Sequence, residues 1–191
     1  GTGRLRHKAD LGIDHGKIET IGRLNEAGAG RVIDGSGLVV APGFIDMHSH
    51  SDVSLLDDPG GESKAHQGVT TEVMGNCGYS PFPVGPRGDA GTKDPASKFE
   101  WEWKDLDGWA NTLESNGISL NLAPQVGQAN IQYAAGATED RPATEDEMCA
   151  MQRLAIEAVE QGAFSISTGL SLAPSGYMST DELVALCKPL S

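Results

Sequence analysis

Two histidines separated by one residue, His48 and His50, and the cysteine Cys77 in the next segment are the side chains whose types could build a metal site. Neutral imidazoles are the commonest metal ligands, and zinc accepts nitrogen and thiolate together. An arbitrary His-x-His is more often a polar loop with two solvated rings, and a free cysteine is commonly a small buried hydrophobe. Position favours the ligand reading here. His48 follows the apolar run Pro42-Gly43-Phe44-Ile45-Asp46-Met47 directly, where a strand that breaks its pleat can turn both rings toward one point. Cys77 lies in Gly75-Asn76-Cys77-Gly78, a tight-turn sequence rather than a strand or helix interior. Cys149 and Cys187 read as core or incidental thiols. His7, His15 and His66 fall in an arm, a turn and a helix with no partner at ligand spacing.

Such residues need strand ends to carry them, and the chain supplies a repeating strand, loop and helix pattern from Pro42 onward. Strands are predicted at Phe44 to Met47, Val69 to Met74, Ile118 to Leu122 and Ala163 to Ser167. Helices are predicted at Glu62 to Gln67 and at Asp105 to Asn116, where Leu106, Trp109, Ala110 and Leu113 recur at helical spacing before Gly117. Two more open on capping boxes, Thr144 with Glu147 and Ser179 with Glu182. Strands alternating with helices imply parallel pairing through right-handed crossovers. The fold class expected is therefore α/β: either a doubly wound sheet or about the first four βα units of a (β/α)8 TIM barrel. No GxGxxG follows a strand, which disfavours the dinucleotide-binding alternative. In either fold, ligands meet the carboxyl ends of strands, which adds Ser49, Asp52, Asn76, Gly78, Asn121, Gln125, Ser167, Thr168 and Gly169 to the residues of interest.

Before Pro42 the pattern has period two. Leu11 and Ile13, then Ile18 and Ile21, flank the turn Asp14-His15-Gly16, and Val32-Ile33 and Leu38-Val39-Val40 suggest two further short strands. Residues 1–42 are expected to be the N-terminal strands of a small β-sandwich domain, and 43–191 the first half of a barrel. A whole barrel takes roughly 250 residues, so the chain reads as truncated. The sides of its first and fourth barrel strands would then be open to self-association.

Composition narrows the partners. The 191 residues carry 14 basic and 27 acidic side chains, a formal charge of 14 − 27 = −13, with no basic run. Nucleic acid and anionic membrane surfaces are both disfavoured by that sign. No apolar stretch approaches a membrane span, and three widely spaced cysteines make no disulfide framework, so a reducing compartment such as the cytoplasm is expected.

The segment Pro42 to Asp52 resembles the first-strand signature of the amidohydrolase superfamily. Gly68-Val69-Thr70-Thr71, Gly75 to Gly78, Arg141-Pro142-Ala143-Thr144, Ser167-Thr168-Gly169-Leu170 and Thr180-Asp181-Glu182-Leu183 together resemble the N-acyl-D-amino-acid deacylases, or D-aminoacylases. The resemblance implies a zinc-dependent hydrolase of the amide bond of a small-molecule N-acyl-D-amino acid. It implies Cys77 as the thiolate ligand of a tightly held zinc, and His48 and His50 at a second, weaker position beside it. Ala163 to Gly169 contains no lysine of the kind that cyclic-amide relatives carboxylate, so Cys77 would supply the anionic ligand instead. The general-base aspartate and further histidines are expected beyond Ser191, and the isolated chain is expected to be inactive. Where relatives often have a histidine after Val-Gly and an arginine shortly afterwards, this chain reads Val126-Gly127-Gln128-Ala129-Asn130-Ile131-Gln132. The loop Pro81 to Trp103 could cover a site or pack its tryptophans on the barrel. The alternatives are a dihydroorotase or hydantoinase, or a non-catalytic scaffold.

Overall fold

A computed structural model describes residues 5–25, 28–85 and 101–190. The chain divides into two compact units, residues 1–42 and 43–191. In the first, β1 (Asp10–Asp14) and β2 (Lys17–Gly22) form an antiparallel hairpin with an irregularity between Gly12 and Ile13. His15 and Gly16 both have positive φ, 46° and 74°, which is the type I′ geometry that matches strand twist. The two further strands expected at Val32-Ile33 and Leu38 to Val40 do not form. Residues 31–43 contain no strand, and Ile33, Leu38 and Val40 are exposed. An apolar run becomes a strand only when a partner takes its backbone groups and covers one face, and neither is present among the described residues.

The second unit is built on four parallel strands in the order β3 (Phe44–Asp46), β4 (Val69–Met74), β5 (Asn121–Gly127) and β6 (Ser165–Ser167). Sequential order with helical crossovers makes this part of a (β/α)8 barrel. The helices are α1 (Ser54–Asp57), α2 (Glu62–Ala65), α3 (Leu106–Asn116), α4 (Gln128–Ala135), α5 (Glu145–Glu160) and α6 (Thr180–Cys187). Asp105 caps α3 by accepting from the Gly108 N–H, and both predicted capping boxes are formed, at α5 and α6.

Three elements of this unit depart from the sequence pattern: the short α1, which was not expected, the start of β5, and α4. The third barrel strand starts at Asn121, later than Ile118, because pairing with β4 registers Asn121 against Thr71 and Pro124 against Met74. Gln125 therefore lies within a strand rather than after it. Helix α4 has no apolar stripe to announce it: Gln128, Asn130 and Gln132 are as buried as Ala129 and Ile131, and a helix buried on all sides loses its amphipathic period.

The core lies between sheet and helices, where Met74 and Val126 meet Leu55, Leu56, Trp109, Leu113, Met151, Ala155 and Leu186. Trp109 and Phe82 pack with ring centroids 5.5 Å apart. Full burial of such side chains contributes about 1.5–3 kcal/mol each. Trp103 is buried, stacks on Trp101 and donates its indole N–H to the Pro81 carbonyl at 2.8 Å. The tryptophans thus pack on the barrel at one end of the long loop, and residues 86–100 of that loop lie outside the described residues.

Candidate metal centre

The histidine segment leaves β3 as an irregular strand end whose middle residue is the anchor. The Ser49 N–H donates to the Val73 carbonyl at 3.1 Å, and its hydroxyl donates to Glu72 Oε2 at 3.2 Å. Ser49 is buried, whereas His48 and His50 on either side are exposed. Fixing the central residue inward leaves both imidazoles on the opposite side. Below them Asp46 accepts from the His48 N–H at 3.1 Å and pairs with Lys64, whose ammonium holds the carboxyl below its usual range. Lys64 also lies 3.5 Å from Glu72 Oε1. Glu72 is fully buried in β4, and the sequence signal was a charged residue inside the apolar run Val-Thr-Thr-Glu-Val-Met.

The cysteine turn is held from three directions. Asp52 accepts the Gly75 N–H at 3.0 Å, and burial pushes its carboxyl up to about 6 against the lowering effect of that bond. The Asn76 side-chain amide donates to the carbonyls of Ser49 at 3.0 Å and Val73 at 2.9 Å, tying the cysteine turn to the histidine segment. From β6 the Ser167 hydroxyl accepts the Gly78 N–H at 3.1 Å and donates to the Gly75 carbonyl. Cys77 itself has φ +58°, in the left-handed region.

These contacts bring Cys77 Sγ to 3.4 Å from His48 Nε2 and 3.6 Å from His50 Nε2, and the three ligand atoms lie within 4.8 Å of one another. Zinc bonds of about 2.3 Å to sulfur and 2.0–2.1 Å to nitrogen at a tetrahedral angle would place S and N about 3.6 Å apart. The two sulfur–nitrogen separations meet that requirement, and the donor set of one thiol and two imidazoles suits zinc.

Among the described residues no other group of three such ligands gathers. Cys149 and Cys187 are both exposed, so the thiols read as core or incidental are surface groups. Asn121 donates to the Thr70 carbonyl, and Gln125 to the Ser165 hydroxyl at 2.6 Å, so these two serve strand-to-strand contacts.

The model of the amidohydrolase family matches residues 31–182. The chain belongs to the amidohydrolase family. It is 38% identical to a D-aminoacylase from Alcaligenes xylosoxydans xylosoxydans over all of this chain and 40% of that protein. An N-acyl-D-glutamate deacylase from the same organism is 37% identical over 98% of this chain and 38% of its own length. Among solved structures, the N-acyl-D-glutamate deacylase of Bordetella bronchiseptica, complexed with zinc and a phosphonate that mimics the tetrahedral intermediate, superposes with a TM-score of 0.87. That match has 35% identity and covers 98% of this chain and 40% of the other. The chain thus spans about 40% of the length of these relatives.

Proposed function

We propose that this chain forms part of a zinc-dependent hydrolase of N-acyl-D-amino acids, with Cys77, His48 and His50 as metal ligands. The observation that carries this reading is the approach of Cys77 Sγ to His48 Nε2 and His50 Nε2, at 3.4 and 3.6 Å, separations that a shared metal would give. Similarity over the whole chain to deacylases of this substrate class supports it. Zinc held there would supply a Lewis acid for the scissile carbonyl and activate water for attack. The chain's own part is positional. Cys77 contributes the anionic ligand, the histidines neutral ones, and Ser49 and Asn76 hold the two ligand segments together. Residues 1–42 are proposed as part of a small β-sandwich domain and 43–191 as the first barrel units.

Elemental analysis of the whole gene product, wild type against Cys77→Ala, tests the ligand assignment. Zinc should fall in the variant, and equal zinc in both removes Cys77 from the site. Hydrolysis of N-acetyl-D-methionine tests the substrate class. Turnover of cyclic ureides with none of N-acyl-D-amino acids would replace this reading with a dihydroorotase or hydantoinase activity. No helix among the described residues is long and apolar enough to cross a membrane.

A further inference from the structure

Cys77 adopts a left-handed backbone conformation without being glycine. Such a conformation is strained for an L-residue and persists only where the surroundings impose it. We propose that Ser167 imposes it: the β6 hydroxyl is a positioning residue that clamps the Gly75–Gly78 turn and keeps Cys77 Sγ in register with His48 and His50. This rests on the metal reading above and adds to it a residue that touches neither metal nor substrate.

The hydroxyl spans the turn from end to end, since it donates to the carbonyl of Gly75 and accepts the N–H of Gly78. Only a group that is donor and acceptor at one atom can do both. Ser167 is buried, so water does not substitute readily for it. The following residues press on the same peptide: a Cβ built on Gly169 would lie 2.0 Å from the Cys77 carbonyl oxygen. Just beyond, the Tyr79 hydroxyl donates to the Ala173 carbonyl at 2.9 Å. The Ser-Thr-Gly-Leu segment is thus a template against which the cysteine turn is moulded.

Ser167→Ala and Ser167→Thr in the whole gene product, loaded with Co²⁺ as the probe, test the assignment. Wild type should show a thiolate-to-cobalt charge-transfer band that Cys77→Ala abolishes. Removing a group that orients a ligand weakens metal binding by roughly 10–100-fold, so Ser167→Ala should lose at least about tenfold in cobalt affinity. Its band should shift or weaken while the far-UV circular dichroism is unchanged. Ser167→Thr, which keeps the hydroxyl, should restore both. Wild-type affinity and spectrum in Ser167→Ala, with the band still lost in Cys77→Ala, overturn the clamp and leave the metal reading intact. No Cys77-dependent band in wild type overturns the metal reading itself. If Ser167→Ala unfolds, Ser167→Thr decides: retained affinity and band support the clamp, and a tenfold loss overturns it.

Discussion

Gly127, the last residue of β5, has ordinary negative φ, yet the turn that carries Cys77 lies directly on it. A Cβ at this position would lie 2.5 Å from the Gly78 carbonyl oxygen and 2.7 Å from both Gly78 C and Tyr79 Cα. All three are main-chain atoms, so no flexible side chain can swing aside. Carbon atoms pack at about 3.5–4.0 Å, and Gly127→Ala therefore requires the turn to retreat by about 1 Å. Such a retreat breaks the 2.8 Å bond from the Ala129 N–H to the Gly78 carbonyl and strains that from Gly78 to Ser167. Overpacking of about 1–3 kcal/mol with one lost hydrogen bond of about 1 kcal/mol gives an expected loss of about 2–4 kcal/mol. Urea unfolding of the whole gene product measures it, with zinc affinity read in parallel. Gly22→Ala is the control, because its Cβ meets nothing within 4 Å at ordinary φ. That exchange should be neutral or slightly stabilising, by up to about 1 kcal/mol. A Gly127→Ala protein within about 0.5 kcal/mol of wild type, with unchanged zinc affinity, would refute the tight approach of β5 to the cysteine turn.

Lys64→Met should destabilise by about 2–3 kcal/mol, since it strands the buried Glu72 carboxylate, and the double variant Lys64→Met/Glu72→Gln should recover part of that in the same urea titration. Thr144→Ala should cost about 1 kcal/mol by opening the α5 capping box, read as a lower thermal midpoint. Glu147 donates nothing when ionised and accepts from Arg141 at 2.8 Å through both oxygens, and these bonds, with the Thr144 N–H, hold its carboxyl down to about 2. A depressed carboxyl stabilises the folded state above its ordinary value of 4.5 and ceases to do so as pH falls toward 2. Wild type should therefore lose more stability than Glu147→Gln between those values, and parallel pH profiles would contradict the pairing. Trp109→Ala should cost about 3–5 kcal/mol, because it empties a core position against Phe82 and leaves the Asp52 carbonyl without its indole donor.

The barrel pattern was legible because each crossover carries its own local signals: Asp105 and Gly117 bound α3, and the Thr144 and Ser179 boxes open α5 and α6. The gathering of His48, His50 and Cys77 was legible for a similar reason, since side chains that could take a metal are recognisable by residue type. What was not legible depended on distant partners. The apolar runs Val32-Ile33 and Leu38-Val39-Val40 looked like strands, but no local signal tells whether a neighbour will pair with them. Ser167 was recognisable as a strand-end residue, but not as a clamp on a turn 89 residues earlier. Helix α4 failed for the opposite reason, because burial on every side erased its periodicity.

Exposure also separates two kinds of residue at this centre. The side chains that could bind metal are exposed or half-buried, whereas Ser49, Asp52, Glu72, Asn76 and Ser167, which hold them, are buried. An exposed imidazole contributes little to folding, so removing His48 or His50 should lower metal affinity with stability of the metal-free protein within about 0.5 kcal/mol of wild type. A buried hydrogen-bonding group cannot be separated in that way. Asn76→Ala leaves the Ser49 carbonyl without its donor and cuts the link between the two ligand segments, so it should cost about 1–3 kcal/mol and weaken the metal together. Comparing metal-free stability with zinc affinity across these variants measures the division directly. If the histidine variants lost as much stability as Asn76→Ala, the imidazoles would be structural members of the strand end, and the open face they share with Cys77 would need another explanation.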